Sequence, residues 1–227
     1  MDILDRAASI RRLLRQAKET TRQIVPALFN QMFGDPNTNP MGWPVRPLGH
    51  ILANGPQNGL YRPASDYGRG TRILRIDSFY DGHVDDVGAL RRVELDPSTV
   101  ARYQLQPGEI VVNRVNSRPF LGKSAIIPPL DEPVVFESNM MRFAVEPRHT
   151  MAGYVIAYLQ TPAARGRLII NAKDAINQSS INQQDVTGLP IPLPPLELQA
   201  VFVDWMTALT QIGRRQGPAA EIGRAHV

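Results

Sequence analysis

The 227-residue chain contains no cysteine, only three lysines and few aromatic residues. The absence of cysteine excludes a disulfide framework, a thiolate metal site and a cysteine nucleophile, and it suits a reducing compartment such as the cytoplasm. No apolar run approaches the roughly 18 residues of a membrane-spanning helix, and no signal-peptide pattern opens the chain. Each of the 4 histidines stands alone, without a second ligand at metal-binding spacing. We therefore expect no metal site, no membrane association and a cytoplasmic location.

Catalytic motifs are also missing. The stretch 117–124 approaches a phosphate-binding loop, since Gly122-Lys123-Ser124 follows a predicted strand. It lacks the first glycine, however, and Pro119 removes a backbone donor from the cradle. No lysine has an acidic residue two positions before it, as many metal-dependent nucleases require, and no glycine-rich cofactor loop occurs. We expect this chain to contain no catalytic residue and to bind no cofactor itself.

The charge is small, a net +4, but its chemistry is one-sided. All of the 25 basic residues except Lys18, Lys123 and Lys173 are arginine. A GC-rich genome can produce this bias without a functional cause. Arginine is also the side chain best suited to two-pronged contacts with phosphate and guanine. The charge therefore permits nucleic-acid binding without demonstrating it.

Residues 1–33 predict one long amphipathic helix. Apolar residues from Ile3 to Leu28 recur at alternating spacings of four and three, which is a heptad seam. A helix of about 30 residues is about 45 Å long, too long to be one wall of a small globule. The pattern favours a coiled-coil arm over a helix lying on its own domain. Gly34-Asp35-Pro36 predicts where the helix ends.

Residues 41–195 predict a globular domain of mixed α and β structure. β-Branched residues between turn glycines indicate strands, and the spacing of apolar residues around Tyr154 indicates a helix that is interrupted at Pro162. The predicted strands lie within 71–79, 108–117 and 131–147, and the predicted helix lies within 152–169.

The end of this domain is rich in proline. Prolines at 190, 192, 194 and 195 alternate with Leu189, Ile191 and Leu193, which places the apolar side chains on one side of an extended ribbon. Proline donates no backbone hydrogen bond, so this ribbon cannot be a central strand. It is either a stiff linker between domains or an extended exit that leads directly into a helix.

A second helix is predicted at 196–215, and its apolar residues again step by four and three. We expect the two helices to pair as an antiparallel coiled coil, which makes the fold class α+β: a mixed domain flanked by two long helices. Residues 216–227 match neither pattern, and 221–227 resemble a translated sequencing adapter, so we expect this tail to be unstructured and non-native. The side chains predicted to pair are Ile10, Leu14, Ile24, Leu28, Phe202, Trp205 and Leu209.

Three segments then resemble one known family. They are FNQMFGDPNTNPMGWPVRPLGHI (29–51), GEIVVNRVNSRPFLGKSAII (108–127) and INQSSINQQDVTGLPIPLPPLELQ (176–199). In this order they resemble the specificity subunits of type I restriction–modification systems. Glu109 stands where that family usually has aspartate, and Leu198 stands where it usually has glutamate.

The resemblance implies a non-catalytic protein that reads one half of a bipartite target in double-stranded DNA. Residues 41–195 would be the target-recognition domain, and the helices at 1–33 and 196–215 would dock the modification subunits. Those subunits use S-adenosylmethionine to methylate adenine, and a restriction subunit driven by ATP and Mg²⁺ joins the same assembly. With one recognition domain, the chain resembles half a subunit that starts mid-architecture.

Two other functions remain open at this stage. The chain could pair with a second copy of itself to form a symmetric DNA reader, or it could be a coiled-coil scaffold for proteins that does not bind DNA.

Three polar stretches offer the side chains that DNA recognition needs, namely arginines for phosphate and guanine and amides for adenine. The stretch 113–123 is the main candidate, because it lies in a family-like segment and concentrates cations. An alternative is that Arg114 or Ser117 stabilises this loop from inside. The residues predicted to contact DNA are Tyr61, Arg62, Arg69, Arg72, Asn113, Arg114, Asn116, Ser117, Arg118, Lys123, Asn177 and Gln178.

Overall fold

The computed structural model describes residues 24–84, 86–176 and 178–215, the last part of this range (210–215) by its backbone alone. The predicted pairing residues Ile10 and Leu14, the predicted DNA contact Asn177 and the tail 216–227 lie outside the described residues. None of the described helices combines the length and the apolar character that crossing a membrane requires.

The centre of the fold is a six-stranded sheet with the order β2-β11-β7-β9-β5-β4. All neighbouring strands are antiparallel except β5 and β9. The middle strand β7 is buried on both faces, with Ile110 and Val112 in one core cluster and Val111 in another. The strands are β2 (Leu52–Asn58), β4 (Phe79–Tyr80), β5 (Gly82–Val84), β7 (Ile110–Asn113), β9 (Ser124–Ile126) and β11 (Met140–Val145).

Three smaller sheets surround it. One has the order β10-β3-β6, the second has the order β12-β13-β8, and the third is the two-stranded ribbon of β1 and β14. Strands β10 and β11, which belong to different sheets, confirm the two short strands predicted within 131–147. The strands are β1 (Val45–Pro47), β3 (Tyr67–Leu74), β6 (Arg91–Val93), β8 (Val115–Asn116), β10 (Val134–Phe136), β12 (Lys173–Ala175), β13 (Gln178–Ser180) and β14 (Pro190–Pro192).

The helices begin and end at the residues that favour such boundaries. Pro162 is the first residue of α4, and the Thr161 hydroxyl accepts the backbone hydrogen bond of Ala164, so the predicted break in 152–169 is confirmed. The helices are α1 (24–33 within the described residues), α2 (Pro97–Tyr103), α3 (Ala152–Gln160), α4 (Pro162–Leu168), α5 (Gln183–Thr187) and α6 (Leu196–Arg215). The mixed α/β fold class is therefore confirmed.

The end of α1 is closed by two features of the family-like segment. Gly34 has φ +80° and its N–H donates to the Asn30 carbonyl at 2.9 Å, the geometry that glycine provides after a helix. The Trp43 indole N–H donates to the Phe33 carbonyl at 3.0 Å. Asn39 holds Trp43 in place by accepting from its backbone N–H and donating to its carbonyl. This part of the motif is therefore a helix cap.

A buried aromatic cluster joins α1, α3 and α6. Phe202 of α6 lies 5.9 Å from Phe29 and 5.2 Å from Phe33, both edge-to-face. Tyr154 of α3 stacks on Phe29 at 5.5 Å and meets the edge of Phe33 at 5.0 Å. Aromatic pairs at such distances contribute beyond their burial alone. The two flanking helices are thus anchored to the domain by the same small set of rings.

The residues of α1 that the domain covers differ from those of the predicted heptad seam. Phe202 is fully buried as expected, and Leu28 and Leu209 are half-buried, but Ile24 is 38% exposed and Trp205 is 51% exposed. In α1 the deeply buried positions are instead Phe29 and Phe33, four residues apart and outside the seam. The face that the domain covers is therefore offset from the seam, because the rings of α3 lie beneath α1 on that side.

The proline-rich segment is neither a free linker nor part of a central strand. β14 pairs only with β1, with Ile191 opposite Arg46, and Ile191 and Leu189 are buried in the main core. The hydroxyl of Tyr158 donates to the Pro190 carbonyl, and the hydroxyl of Tyr154 donates to the Pro192 carbonyl at 2.7 Å. The apolar side of the ribbon packs on the domain, while its carbonyls receive donors from α3.

Gln199 locks the turn from this ribbon into α6. Its side chain is completely buried, and its amide N–H donates to the Pro194 carbonyl at 2.9 Å. Its amide oxygen accepts from the Thr150 hydroxyl and from the Met151 N–H, both at 2.9 Å. The sequence motif predicts no role for this glutamine, because Thr150 and Met151 lie almost 50 residues away along the chain.

We predict that Gln199→Ala lowers the free energy of unfolding by about 2–4 kcal/mol, since it leaves buried donors and acceptors unpaired. Glu197→Ala is the matched control on the same turn of α6, where the side chain is exposed, and it should change stability by less than about 0.5 kcal/mol. Urea denaturation followed by circular dichroism measures both. Equal effects of the two substitutions would contradict the role assigned to Gln199.

Candidate nucleic-acid interface

Loops from four strands meet at one end of the central sheet. β2 ends at Asn58 and β7 ends at Asn113, on either side of the first residues of β11. β9 begins opposite Val112, beside the end of β7, and β5 runs parallel to β9 from Gly82. This end of the sheet, called the polar end below, carries the segments 59–62, 76–81, 114–123 and 137–139.

The hairpin of β12 and β13 adds to the polar end. β13 pairs with β8 directly after the end of β7, so that Ser179 lies opposite Asn116. Gln178 and Ser117 are exposed beside this pair, and Asn116 is half-buried. The structure therefore brings together two polar stretches, 113–123 and 178–180, that the sequence predicted separately.

Arg118 is the exposed cation where these two stretches meet. Its guanidinium lies 2.7 Å and 2.8 Å from the two carboxylate oxygens of Asp174 on β12. The Ser179 hydroxyl also donates to Asp174 at 2.5 Å, and these bonds from Ser179 and Arg118 hold the pKa of the Asp174 carboxyl below its usual range. An exposed pair of this kind contributes little to stability. Arg118 can therefore exchange Asp174 for a phosphate at low cost.

The loop that carries Arg118 is held from α4. Arg165 donates from its guanidinium to the Leu121 carbonyl at 3.3 Å and to the Pro119 carbonyl. Gly122 has φ +73°, and a side chain there would crowd Leu168 of α4. Arg165 was not predicted, because nothing in the sequence relates it to a loop 44 residues earlier. Its contacts make the loop rigid before any ligand binds.

Lys123 is held inside the polar end. Its ammonium donates to the Ile76 carbonyl at 2.6 Å and lies 3.9 Å from the centre of the Tyr80 ring and 4.8 Å from that of Phe79. Cation–π contacts of this kind are stronger when the cation is shielded from water. Lys123 therefore ties the segment 76–81 to the loop 117–123, and this structural role differs from the predicted contact with DNA.

Two other residues of the main candidate stretch are also structural. Asn113 is completely buried, so the expectation that its side chain contacts DNA is corrected. Arg114 is half-buried, and its guanidinium donates to the Ser138 carbonyl at 3.1 Å. The alternative that Arg114 stabilises the loop from inside is the one that this geometry favours. Ser117, in contrast, is exposed.

The residues predicted in the stretch 58–72 separate into two groups. Tyr61 follows β2 at the polar end and is 78% exposed, and Arg62 stands next to it. Arg69 lies near the start of β3, where it pairs with Glu94 at 3.0 Å. Arg72 is only 12% exposed and pairs with Asp131 and Glu132. Arg72 therefore has a structural role in the sheet β10-β3-β6. The structure does not bring Arg69 or Arg72 to the polar end.

A buried carboxylate braces the middle of the polar end. Glu137 accepts the Ile76 backbone N–H at 2.7 Å and lies 3.5 Å from the Arg75 guanidinium. Burial raises the pKa of the Glu137 carboxyl above its usual value, against the lowering effects of Ile76 and Arg75. Within the described part of the chain, no group of three His, Asp or Glu side chains could hold a metal ion. The polar end thus offers cations, amides and hydroxyls, which are groups that bind phosphates and base edges.

Curated relatives identify the family. The chain is 33% identical, over 161 residues, to the MjaX type I restriction enzyme specificity subunit of Methanocaldococcus jannaschii, covering 70% of this chain and 37% of that protein. It is 28% identical to the EcoKI specificity subunit of Escherichia coli, covering 65% of this chain and 32% of that one. This chain belongs to the specificity-subunit family of type I restriction enzymes. It spans about a third of the length of these curated relatives.

Solved structures of specificity subunits share the fold. The HsdS subunit of Thermoanaerobacter tengcongensis matches 96% of this chain and 50% of its own length with a TM-score of 0.55, at 18% identity. The type I S subunit of M. genitalium matches 93% of this chain and 54% of its own length with a TM-score of 0.58, at 10% identity. No protein-family model matches the sequence. The resemblance that the sequence segments carried is confirmed.

We predict that Lys123→Met lowers the free energy of unfolding by about 1–3 kcal/mol, because it keeps the length of the side chain but removes the bond to Ile76 and the cation–π contacts. Lys173→Met is the control, since Lys173 is exposed on β12 and should tolerate the change within about 0.5 kcal/mol. Urea titrations give both values. A Lys123→Met protein as stable as the control would show that Lys123 does not brace the polar end.

Proposed function

We propose that this chain is the part of a type I specificity subunit that recognises one half of a bipartite target in double-stranded DNA. The observation that carries the proposal is the convergence of Asn116, Ser117, Arg118 and Gln178 on one exposed surface of a family member. Residues 41–195 form the recognition domain, and the helices α1, described from residue 24 to 33, and α6 flank it.

The division of tasks at the polar end supports this proposal. Arg118 is exposed and only weakly committed, so it suits a phosphate, while Asn116 and Gln178 offer the paired donor and acceptor that match adenine. Lys123, Arg114 and Arg165 hold the loops from inside. Preformed loops lose less conformational freedom on binding, which favours both affinity and specificity.

In this role the chain catalyses no reaction itself and binds no cofactor. Modification subunits supply S-adenosylmethionine and the methyl transfer, and a restriction subunit supplies ATP-driven cleavage with Mg²⁺. All of these act on DNA in the cytoplasm, where we place the assembly. The role of the chain is to position them on the target.

We predict that Arg118→Ala weakens binding to every duplex and lowers the slope of log affinity against log salt by about one unit, because one phosphate contact is lost. Arg148→Ala is the matched control. Arg148 is also an exposed arginine paired with one carboxylate, that of Glu146, but it follows β11 at the opposite end of the sheet. Fluorescence anisotropy at several salt concentrations measures both variants.

The reciprocal change sharpens this test. Asp174→Asn frees Arg118 and removes a negative charge from the surface, so it should tighten duplex binding. Asp131→Asn makes the same change in charge beside Arg72 of β3, away from the surface around Arg118, and should have little effect. If Arg118→Ala and Arg148→Ala behave alike, DNA does not lie on this surface. A complete lack of duplex binding with retained protein partners would favour the scaffold function.

The flanking helices belong to the proposal as an antiparallel pair that docks partner subunits. Trp205, Val201 and Ile24 are large apolar side chains that remain exposed on α6 and α1. Val201 and Trp205 are one turn apart on the same face of α6, and exposed apolar residues grouped in this way are typical of surfaces that another chain covers. The same observation keeps the homodimer open as a second candidate, in which the covering chain is a second copy.

We predict that Trp205→Glu leaves the stability of the isolated chain within about 1 kcal/mol but abolishes association, because it buries an unpaired charge in the interface. Thr207→Glu adds the same charge on another side of α6, where Thr207 is exposed, and should associate normally. Co-purification with the modification subunit tests docking, and the concentration dependence of sedimentation tests self-association. Unchanged behaviour in both assays would remove α6 from any interface.

A further inference from the structure

A polar cleft of about 360 Å³ lies beside the β2 edge of the polar end. One wall is the segment that follows β2, and the other wall is one side of α2. The side chains that line it include Tyr61, Arg62, Ser98, Thr99, Arg102 and Tyr103. Apart from Tyr61 and Arg62, none of these was predicted to contact DNA.

Two guanidinium groups in this cleft have hydrogen-bonding capacity left over. Arg102 has no carboxylate within ion-pair distance among the described residues, and its guanidinium lies 5.5 Å from the centre of the Tyr103 ring. Arg62 has only Asp66, at 3.8 Å, and its Nε atom is buried without a hydrogen-bond partner. Arg72, by contrast, pairs with both Asp131 and Glu132.

The remaining lining limits which ligand fits. The hydroxyls of Ser98 and Thr99 donate to the Asp96 carboxylate, so towards the cleft they can act only as acceptors. Tyr61 presents an almost fully exposed ring beside the cations. A nucleotide unit offers both matching parts: a phosphate that arginine can bind, and a sugar or base that can pack against an aromatic ring.

The place of the cleft relates it to the surface around Arg118. Gln57, one residue before the end of β2, donates to the Arg102 carbonyl at 3.3 Å, so the end of α2 lies close to the polar end. One strand, β11, separates β2 from β7, and so their ends are about 10 Å apart.

We propose that this cleft is a second backbone subsite, in which Arg62 and Arg102 hold a phosphate of the same duplex and Tyr61 packs against its sugar. The inference rests on the proposed function, since it assumes that the polar end faces DNA. The cleft adds a contact with the DNA backbone next to β2, whereas Arg118 contacts the DNA backbone next to β7. The two contacts fix the register of the duplex across the sheet.

The test is duplex binding by Arg102→Ala, with Tyr61→Ala as a second variant and Arg148→Ala as the control for lost charge. Arg102→Ala should lower the salt slope by about one unit for every duplex, so that the affinity ratio between 50 and 200 mM salt shrinks about fourfold. Combined with Arg118→Ala it should lower the slope by about two units, because the contacts are separate. Tyr61→Ala should weaken binding without changing the slope.

Uncharged methylphosphonates at single positions of the duplex locate the two contacts. The position whose replacement no longer matters for Arg102→Ala should differ from the one that no longer matters for Arg118→Ala. The same position for both variants would overturn the separate subsite.

Two further outcomes distinguish the subsite from the function beneath it. If Arg118→Ala weakens binding while Arg102→Ala behaves like Arg148→Ala, the subsite is wrong and the DNA-recognition function stands. If neither variant differs from Arg148→Ala, the proposed function fails together with the subsite. Binding of deoxyadenosine monophosphate that depends on Arg102, with duplex affinity unchanged, would assign the cleft to a free nucleotide and overturn the proposal.

Discussion

Much of the structure depends on how a proline-rich ribbon has its carbonyl groups satisfied. A carbonyl buried without a donor is costly, and a ribbon whose prolines lack N–H groups cannot take a place inside a sheet, where strands on both sides would supply donors. Three alternate carbonyls, those of Pro190, Pro192 and Pro194, accept from the side chains of Tyr158, Tyr154 and Gln199. The ribbon is thereby fixed to α3 on one side and to the start of α6 on the other.

The aromatic cluster extends this arrangement to α1. Tyr154 bonds to Pro192 through its hydroxyl and packs with its ring against Phe29 and Phe33, while Phe202 of α6 completes the cluster. Both helices are therefore oriented by the core of the domain, where packing is dense and small changes are felt. For a protein proposed to hold partner subunits at a set distance from DNA, such a rigid joint is a physical requirement.

At the polar end, the same fold separates cations that support loops from cations that remain available. Lys123 and Arg165 are committed to carbonyl groups of neighbouring segments. Arg118 pairs only with an exposed carboxylate, and the Arg102 guanidinium, among the described residues, contacts a ring but no carboxylate. A loop that changes its outward side chains while keeping the inward ones could change its target without losing its shape.

The sequence by itself determined the local boundaries and the family. Gly34 ends α1 and Pro162 begins α4 as expected, because glycine and proline restrict or free the backbone wherever they stand. What only the tertiary structure decided is which polar side chains are free. Arg72 meets Asp131, Arg118 meets Asp174 and Lys123 meets Ile76 across separations of 59, 56 and 47 residues. In α1, Phe29 and Phe33 are buried while Ile24 is exposed, because Tyr154 of α3, more than 100 residues later in the chain, packs against that side of the helix. Local patterns fix backbone geometry, whereas the availability of a charge or an apolar face depends on partners that only the folded chain brings near.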